Sequence, residues 1–309
     1  MDLVNAWQRD FPLAPRPFAE IAARCGSDEA SVLRCFENLK ANGTIDRIGP
    51  VFRPNTVGAS CLAAMAVPPE QLEQVAALVS GYRGVNHNYE REHRYNLWFV
   101  VTGRSEPEVQ WTLSCIEYAA SLPVLRLPLL EEYHVDLGFD LVSGRAPRSR
   151  PAAARPELTS VERELVARVA GGLPLVRQPY AALGFPERDV IEALRRWLEA
   201  GIVRRVGAVV RHRALGYHAN AMLVWDVPDD RVAEAGARLA ADPAVTLCYR
   251  RARALPDWPY NLYCMVHGRE RGRVLYEAKR ISLSLGLAGL PRAILFSKRC
   301  FTQRAARYG

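Results

Sequence analysis

LKANGTIDRIGPVFRPNTVG (Leu39–Gly58) and WLEAGIVRRVGAVVRHRALG (Trp197–Gly216) are one segment written twice, and that repetition decides the fold. The register is constant: Gly43 falls on Gly201, Gly49 on Gly207, Arg53 on Arg211 and Gly58 on Gly216. Working outward, NYER (Asn88–Arg91) meets CYRR (Cys248–Arg251), and YNLWFVVTG (Tyr95–Gly103) meets YNLYCMVHG (Tyr260–Gly268). Self-similarity over this distance means one module fused to a second copy of itself. Between the copies, GRAPRSRPAAARPE (Gly144–Glu157) carries Pro, Ala, Ser and Arg with no apolar period and reads as a linker. A phosphate- or RNA-binding tail is the alternative reading of its arginines.

Each copy opens on a helix-turn-helix pattern. In the first, FAEIAARC (Phe18–Cys25) has apolar residues at helical spacing, Gly26 permits a turn, and Ser27 is placed to cap the next helix. That helix carries Val32, Leu33, Phe36 and Leu39 on one face. In the second copy, Pro186 occupies a first-turn position before a helix with Val190, Ile191, Leu194 and Leu198 as its stripe. The β-rich segments that follow, TIDRIGPVF and IVRRVGAVV, read as winged hairpins. The rest of each copy alternates in β-α-β-β-α-β order, the ferredoxin-like arrangement. The expected class is therefore α+β, a tandem duplication of a winged helix-turn-helix plus a ferredoxin-like domain. Expected boundaries are 1–58 and 59–143 in the first copy, a linker at 144–157, then 158–216 and 217–309. This layout resembles that of the Lrp/AsnC family of transcriptional regulators across both copies. Such proteins dimerise through their sheets, so the resemblance implies an intrachain pseudo-dimer, with a further oligomer open.

Composition narrows the function. The 309 residues are 49% hydrophobic and 24% charged, which excludes disorder over most of the chain. No apolar run approaches the roughly 20 residues of a membrane span, and the first residues lack a signal-peptide pattern, so a cytoplasmic location is expected. The seven cysteines form no C-x-x-C pair and are expected to be reduced and mostly packing residues. A net charge of +8 invites nucleic acid, yet the excess is almost all arginine, with lysine only at positions 40, 279 and 298. Arginine suits bidentate recognition of carboxylates and phosphates; codon bias explains it equally well. Both second helices of the helix-turn-helix pairs are slightly acidic. Asp28, Glu29 and Glu37 face Arg34 and Lys40 in one; Glu187, Asp189, Glu192 and Glu199 face Arg188, Arg195 and Arg196 in the other. Nucleic acid is thus a disfavoured partner, although the wing residues Arg47, Arg53, Arg204, Arg205, Arg211 and Arg213 remain available to it.

The chemistry-bearing clusters lie on the paired central strands. Alternation sends His87, Tyr89 and Arg91 of NHNYERE to one face. In CYRRARALPDWPYNLYCMVHG, Tyr249 and Arg251 match Tyr89 and Arg91, and His267 closes the next strand. A face of Tyr, Arg and His can hold an anionic aromatic ligand and move protons near neutral pH. A polar sheet surface is the competing account, weakened because the pattern occurs twice.

The motifs HNYEREHRYNLWFV and CYRRARALPDWPYNLYCMVHG resemble those of the siroheme decarboxylases, Lrp/AsnC-like proteins turned to tetrapyrrole chemistry. The order of the copies is similar to that of the fused D and L type subunits of heme d1 biosynthesis. The likeness spans nearly the whole chain outside the linker. One departure is Leu247, where many relatives carry His before the Cys-Tyr pair. The resemblance implies loss of CO2 from acetate side chains of siroheme to give 12,18-didecarboxysiroheme. No added cofactor is implied; the iron enters with the substrate, and no separate metal site is expected. A homologous decarboxylase subunit is a further partner consistent with it. On this reading His87 or His267 moves protons, with axial ligation of the substrate's iron as the alternative role of a histidine, and Tyr89, Tyr249 and Trp258 pack or orient the ring. Arg91, Arg250 and Arg251 hold carboxylates, with Lys298, Asn96 and Asn261 as further binding residues. His93 and His134 are weaker candidates. A DNA-binding regulator and a non-catalytic tetrapyrrole sensor or subunit stay open as alternatives.

Overall fold

The computed structural model describes residues 5–135 and 157–308. The linker expected at 144–157 lies outside them except for Glu157. In chain order the first copy comprises α1 (Pro17–Cys25), α2 (Glu29–Ala41), β1 (Ile45–Phe52), β2 (Ala59–Met65), α3 (Leu72–Gly81), β3 (Val85–Arg91), β4 (Leu97–Gly103), α4 (Glu106–Ala120) and β5 (Leu125–Val135). The second comprises α5 (Ser160–Ala170), α6 (Glu187–Glu199), β6 (Val203–Val210), β7 (Ala219–Trp225), α7 (Val232–Ala240), β8 (Val245–Arg251), β9 (Leu262–Gly268), α8 (Arg271–Ser284) and β10 (Arg292–Gln303). The described residues cluster into two compact units. One gathers those within 1–58, 150–215 and 305–309, the other those within 59–149 and 216–304. Like segregates with like: both helix-turn-helix segments share one unit and both ferredoxin-like segments the other.

In the first unit, Gly26 ends α1 in the left-handed conformation, φ 63°. The cap of α2 is Asp28, not Ser27, because its carboxylate accepts from the Ser31 N–H at 2.9 Å. Pro186 sits one residue before α6 as its N-cap rather than inside the first turn, and that helix buries Trp197 in addition to the expected Val190, Ile191 and Leu194. The wings differ most from expectation. Each of the two segments is one continuous strand, and instead of folding on itself as a hairpin, β1 pairs antiparallel with β6 of the other copy. Gly49 lies opposite Gly207 in this ribbon, and both glycines are there for space. A side chain on Gly207 would collide with the Gln8 backbone, and one on Gly49 would press at 3.2 Å on Gly172. The ribbon also consumes wing arginines. Buried Arg53 donates to the Gly201 carbonyl, and Arg47 and Arg211 both pair with Asp46 at 2.9 and 2.8 Å. Arg205 is buried against the carbonyls of Gln8 and Ala208, and that burial, with Arg9 and Arg47 nearby, pushes its pKa down to about 9.

The second unit is a closed eight-stranded barrel in the order β10-β3-β4-β2-β5-β8-β9-β7, every neighbouring pair antiparallel. Each copy contributes four strands, and the β5/β8 and β10/β3 seams join the copies. The outer faces are covered by helices over two apolar cores, one built on Met65, Phe99 and Leu113, the other on Trp225, Leu262 and Ile281. A third cluster lies within the barrel, around Trp98, Leu127, Met222, Trp258, Tyr263 and Leu295. Strict antiparallel order makes β3 and β8 run the same way, so the β3–β4 and β8–β9 loops leave from one end. There Trp258 is wholly buried, its ring 5.8 Å from Tyr95, 5.0 Å from Trp98 and 4.9 Å from Tyr260. This cluster stoppers that end of the barrel.

Candidate functional site

Below the aromatic stopper, two equivalent ladders face the lumen. On β3, Asn88 turns outward to donate to Ala76 O and Ser80 Oγ, each at 3.0 Å, which leaves His87, Tyr89 and Arg91 on the inner face. The His87 and Tyr89 rings stack at 6.2 Å, and the Arg91 guanidinium lies 5.9 Å from the Tyr89 ring. On β8, Cys248 turns outward to the Gly236 carbonyl, leaving Tyr249 and Arg251 inside, with that guanidinium 5.1 Å from Tyr249 and 6.0 Å from Tyr263. Each arginine reaches across a seam to the other copy. Arg91 Nη1 donates to Leu295 O at 3.1 Å, and Arg251 Nη1 to Leu127 O at 2.9 Å. An eight-stranded barrel is just wide enough to be filled by side chains or to hold one ligand. Here His87, Tyr89, Val100, Leu247, Tyr249 and Met265 point inward yet are only partly buried, so side chains do not fill the lumen completely below the stopper.

The ladders differ where proton chemistry would occur. His87 has Leu247 as its counterpart, and His267 at the end of β9 has Thr102. Tyr89 donates to Gln303 Oε1 at 3.2 Å. His267 Nδ1 lies 2.8 Å from the hydroxyl of buried Thr246. Arg251 is mostly buried, and desolvation lowers its pKa; Tyr249, Tyr263 and Cys61 act in the opposite sense, with no carboxylate of the described residues among the opposing groups. A guanidinium so placed has a carbonyl and two aromatic faces around it and is set to accept an anion.

Other expected site residues lie elsewhere. Asn96 and Asn261 are backbone clamps: Asn96 exchanges two hydrogen bonds with Val67, at 2.9 and 2.8 Å, and Asn261 two with Val227, both at 2.9 Å. Trp258 belongs to the stopper, its Nε1 donating to the Tyr263 hydroxyl at 2.6 Å. Arg250 alternates away from the lumen to pair with Asp229 at 3.1 Å. Lys298 is exposed and pairs with buried Glu90 at 2.6 Å. Arg91, Asn96 and Lys298 do meet, in a cavity of about 410 Å³ that Glu90, Glu92 and His93 also line. His93 accepts from the Tyr95 N–H at 3.1 Å, and burial together with Arg94 lowers its pKa. His134 is buried on β5, opposite Cys248. The seven cysteines form no disulfide; Cys61, Cys248 and Cys264 are buried, but Cys25, Cys35 and Cys300 are exposed, so packing accounts for fewer than expected. Gln303 and Thr246 had no signal in the sequence, being joined to the site only through strand register.

Barrel and helix pairs together define an AsnC-like protein. Residues 57–134 and 214–302 match the model of the AsnC-like ligand binding domain, and residues 1–45 and 162–204 that of the siroheme decarboxylase NirDL-like HTH domain. The chain is 45% identical to the siroheme decarboxylase NirDL subunit of Paracoccus denitrificans (strain Pd 1222), a match covering 98% of this chain and 95% of that one. It is 33% identical to the siroheme decarboxylase of Hydrogenobacter thermophilus (strain DSM 6534 / IAM 12695 / TK-6) over 97% of this chain and 92% of that one. A solved siroheme decarboxylase NirDL in co-complex with an iron-uroporphyrin III analogue superposes with a TM-score of 0.68 at 30% identity, covering 99% of this chain and 93% of that one. The chain belongs to the siroheme decarboxylase NirDL family, whose members are decarboxylating lyases. Among the described residues, no helix is long and apolar enough to cross a membrane.

Proposed function

We propose that this chain removes CO2 from acetate side chains of siroheme to give 12,18-didecarboxysiroheme, the product that serves heme d1 formation. The observation that carries this reading is Arg251: mostly buried, lumen-facing, held by a backbone carbonyl and flanked by Tyr249 and Tyr263, with no carboxylate among the described residues opposing its desolvation. A substrate with carboxylates around an aromatic ring brings an anion to that guanidinium and a ring to the aromatic faces beside it. Arg91 is the equivalent anchor in the other copy. Tyr89 and Tyr249 orient the ring, while Asn96, Asn261 and Trp258 keep the loops around it rigid. Lys298 and Arg250 attract the polyanion from outside the lumen. The bond to the departing carboxyl carbon breaks with its electron pair drawn toward the protonated macrocycle. CO2 leaves, His87 or His267 delivers a proton to the carbon that becomes a methyl group, and the macrocycle gives back the proton it had taken up. No cofactor beyond the iron carried by the substrate is invoked.

The duplicated barrel makes the pseudo-dimer within one chain. The engaged wing arginines and the acidic second helices argue against a DNA-reading role. Anaerobic incubation of the purified chain with siroheme, followed by mass and absorbance, tests the activity. Loss of CO2 supports it, whereas tight binding without mass loss, alone and with a homologous subunit, favours the sensor.

A further inference from the structure

β3 and β8 each contain a bulge at the same place. On β8, Val245 pairs with Val266 and Leu247 with Met265, so Thr246 is the extra residue; on β3, Val85 pairs with Val101 and His87 with Val100, so Asn86 is. A bulge redirects the side chain of its unpaired residue. The Thr246 hydroxyl lies 3.2 Å from the Met265 carbonyl, to which it donates, and 2.8 Å from His267 Nδ1. One hydroxyl has one proton. With that proton on the carbonyl, the oxygen can meet Nδ1 only as an acceptor, so Nδ1 carries the ring proton. Thr246 is buried, which keeps water from replacing it. The first copy lacks this pair: the residue equivalent to His267 is Thr102, whose hydroxyl donates to Gly84 O at 3.3 Å.

We propose that Thr246 is a positioning residue that fixes His267 in the tautomer with its proton on Nδ1, which makes Nε2 the nitrogen through which His267 exchanges protons. The partner of one ring nitrogen sets the role of the other. The proposal rests on reading His267 as a proton-transfer group in siroheme decarboxylation, but the tautomer has its own readout. The test is nitrogen-15 NMR of the full chain with labelled histidine, the His267 signal among the six histidines being assigned by its absence in His267→Gln. It is paired with kcat and KM for siroheme. Thr246→Val should remove the Nδ1–H signature and lower kcat about tenfold with KM within about twofold, the pattern of lost transition-state contact rather than lost binding. Thr246→Ser should restore both, and Thr246→Ala supplies a second variant if valine disturbs the bulge. Persistence of the Nδ1–H signature in both the Val and Ala variants overturns the proposal, as does a serine variant that behaves like valine. A signature that responds as expected in a protein that releases no CO2 overturns the decarboxylase reading alone.

Discussion

Replacing Asn261 by Ala separates a structural clamp from a substrate ligand. In the native barrel the Asn261 amide accepts from the Val227 N–H and donates to the Val227 carbonyl, both at 2.9 Å, and is almost fully buried. Truncation orphans the Val227 N–H, which lies in a wholly buried residue; a buried donor without a partner costs about 1–3 kcal/mol. The carbonyl is spared, because Arg253 Nη2 also donates to it at 2.7 Å. Adding roughly 1 kcal/mol for the small void gives a destabilisation of about 2–4 kcal/mol. Asn96→Ala removes the equivalent pair from Val67, but Asn96 is partly exposed and water can enter, so about 1–2 kcal/mol is expected. Urea unfolding reads the difference through tryptophan fluorescence, Trp98, Trp225 and Trp258 all being buried in the barrel. At the usual urea dependence the Asn261→Ala midpoint should fall by about 1 M or more, and KM for siroheme measured well below the transition should stay within about threefold. The reasoning is refuted if Asn261→Ala unfolds with the wild type while its KM rises tenfold or more.

Arg251→Ala should raise KM for siroheme about 10- to 100-fold, the equivalent of one charge-assisted hydrogen bond of about 1.5–3 kcal/mol, and Arg251→Lys should recover only part of it; steady-state kinetics decides. His87→Ala and His267→Ala, made separately, should lower kcat by about 100-fold or more with smaller changes in KM, and unchanged kcat in both would remove the histidines from proton transfer. Glu90 is desolvated, which alone would raise its pKa, but bonds from Lys298 and Arg299 outweigh burial and hold it below the ordinary carboxylate value. A depressed carboxylate stabilises the fold at neutral pH and loses that contribution as pH falls through its folded-state pKa. Glu90→Gln should therefore cost about 1 kcal/mol at pH 7, discounted for the exposure of Lys298 and Arg299, with the difference from wild type closing below about pH 4 in pH-dependent thermal melts.

Periodicity and repetition made the architecture legible. The offset that aligns Gly49 with Gly207 marked two residues that face each other in the folded chain, and period-two alternation put His87, Tyr89 and Arg91 on one face. Pairing of the wings between copies was not legible. TIDRIGPVF looks like a self-contained hairpin because a strand's sequence does not state which chain segment completes its hydrogen bonds. The clamps of Asn96 and Asn261 were hidden too, because their amides tie the strand end to the segment after the first strand of each copy, about 30 residues earlier in the chain. Arg250 lies beside Arg251 in sequence but across the sheet from it, a separation that alternation implies. Thr246 and Gln303 stayed hidden because each meets its partner through strand register, between segments distant in the chain.

The most direct measurement is the mass of the tetrapyrrole recovered after anaerobic incubation of siroheme with the wild-type chain, beside Arg91→Ala/Arg251→Ala and His87→Ala/His267→Ala double variants. The account predicts that the wild type yields siroheme short of two CO2, that the arginine pair weakens binding, and that the histidine pair binds siroheme with its mass unchanged. Unaltered siroheme from the wild type, with and without a homologous subunit, or full conversion by the histidine double variant, would contradict it.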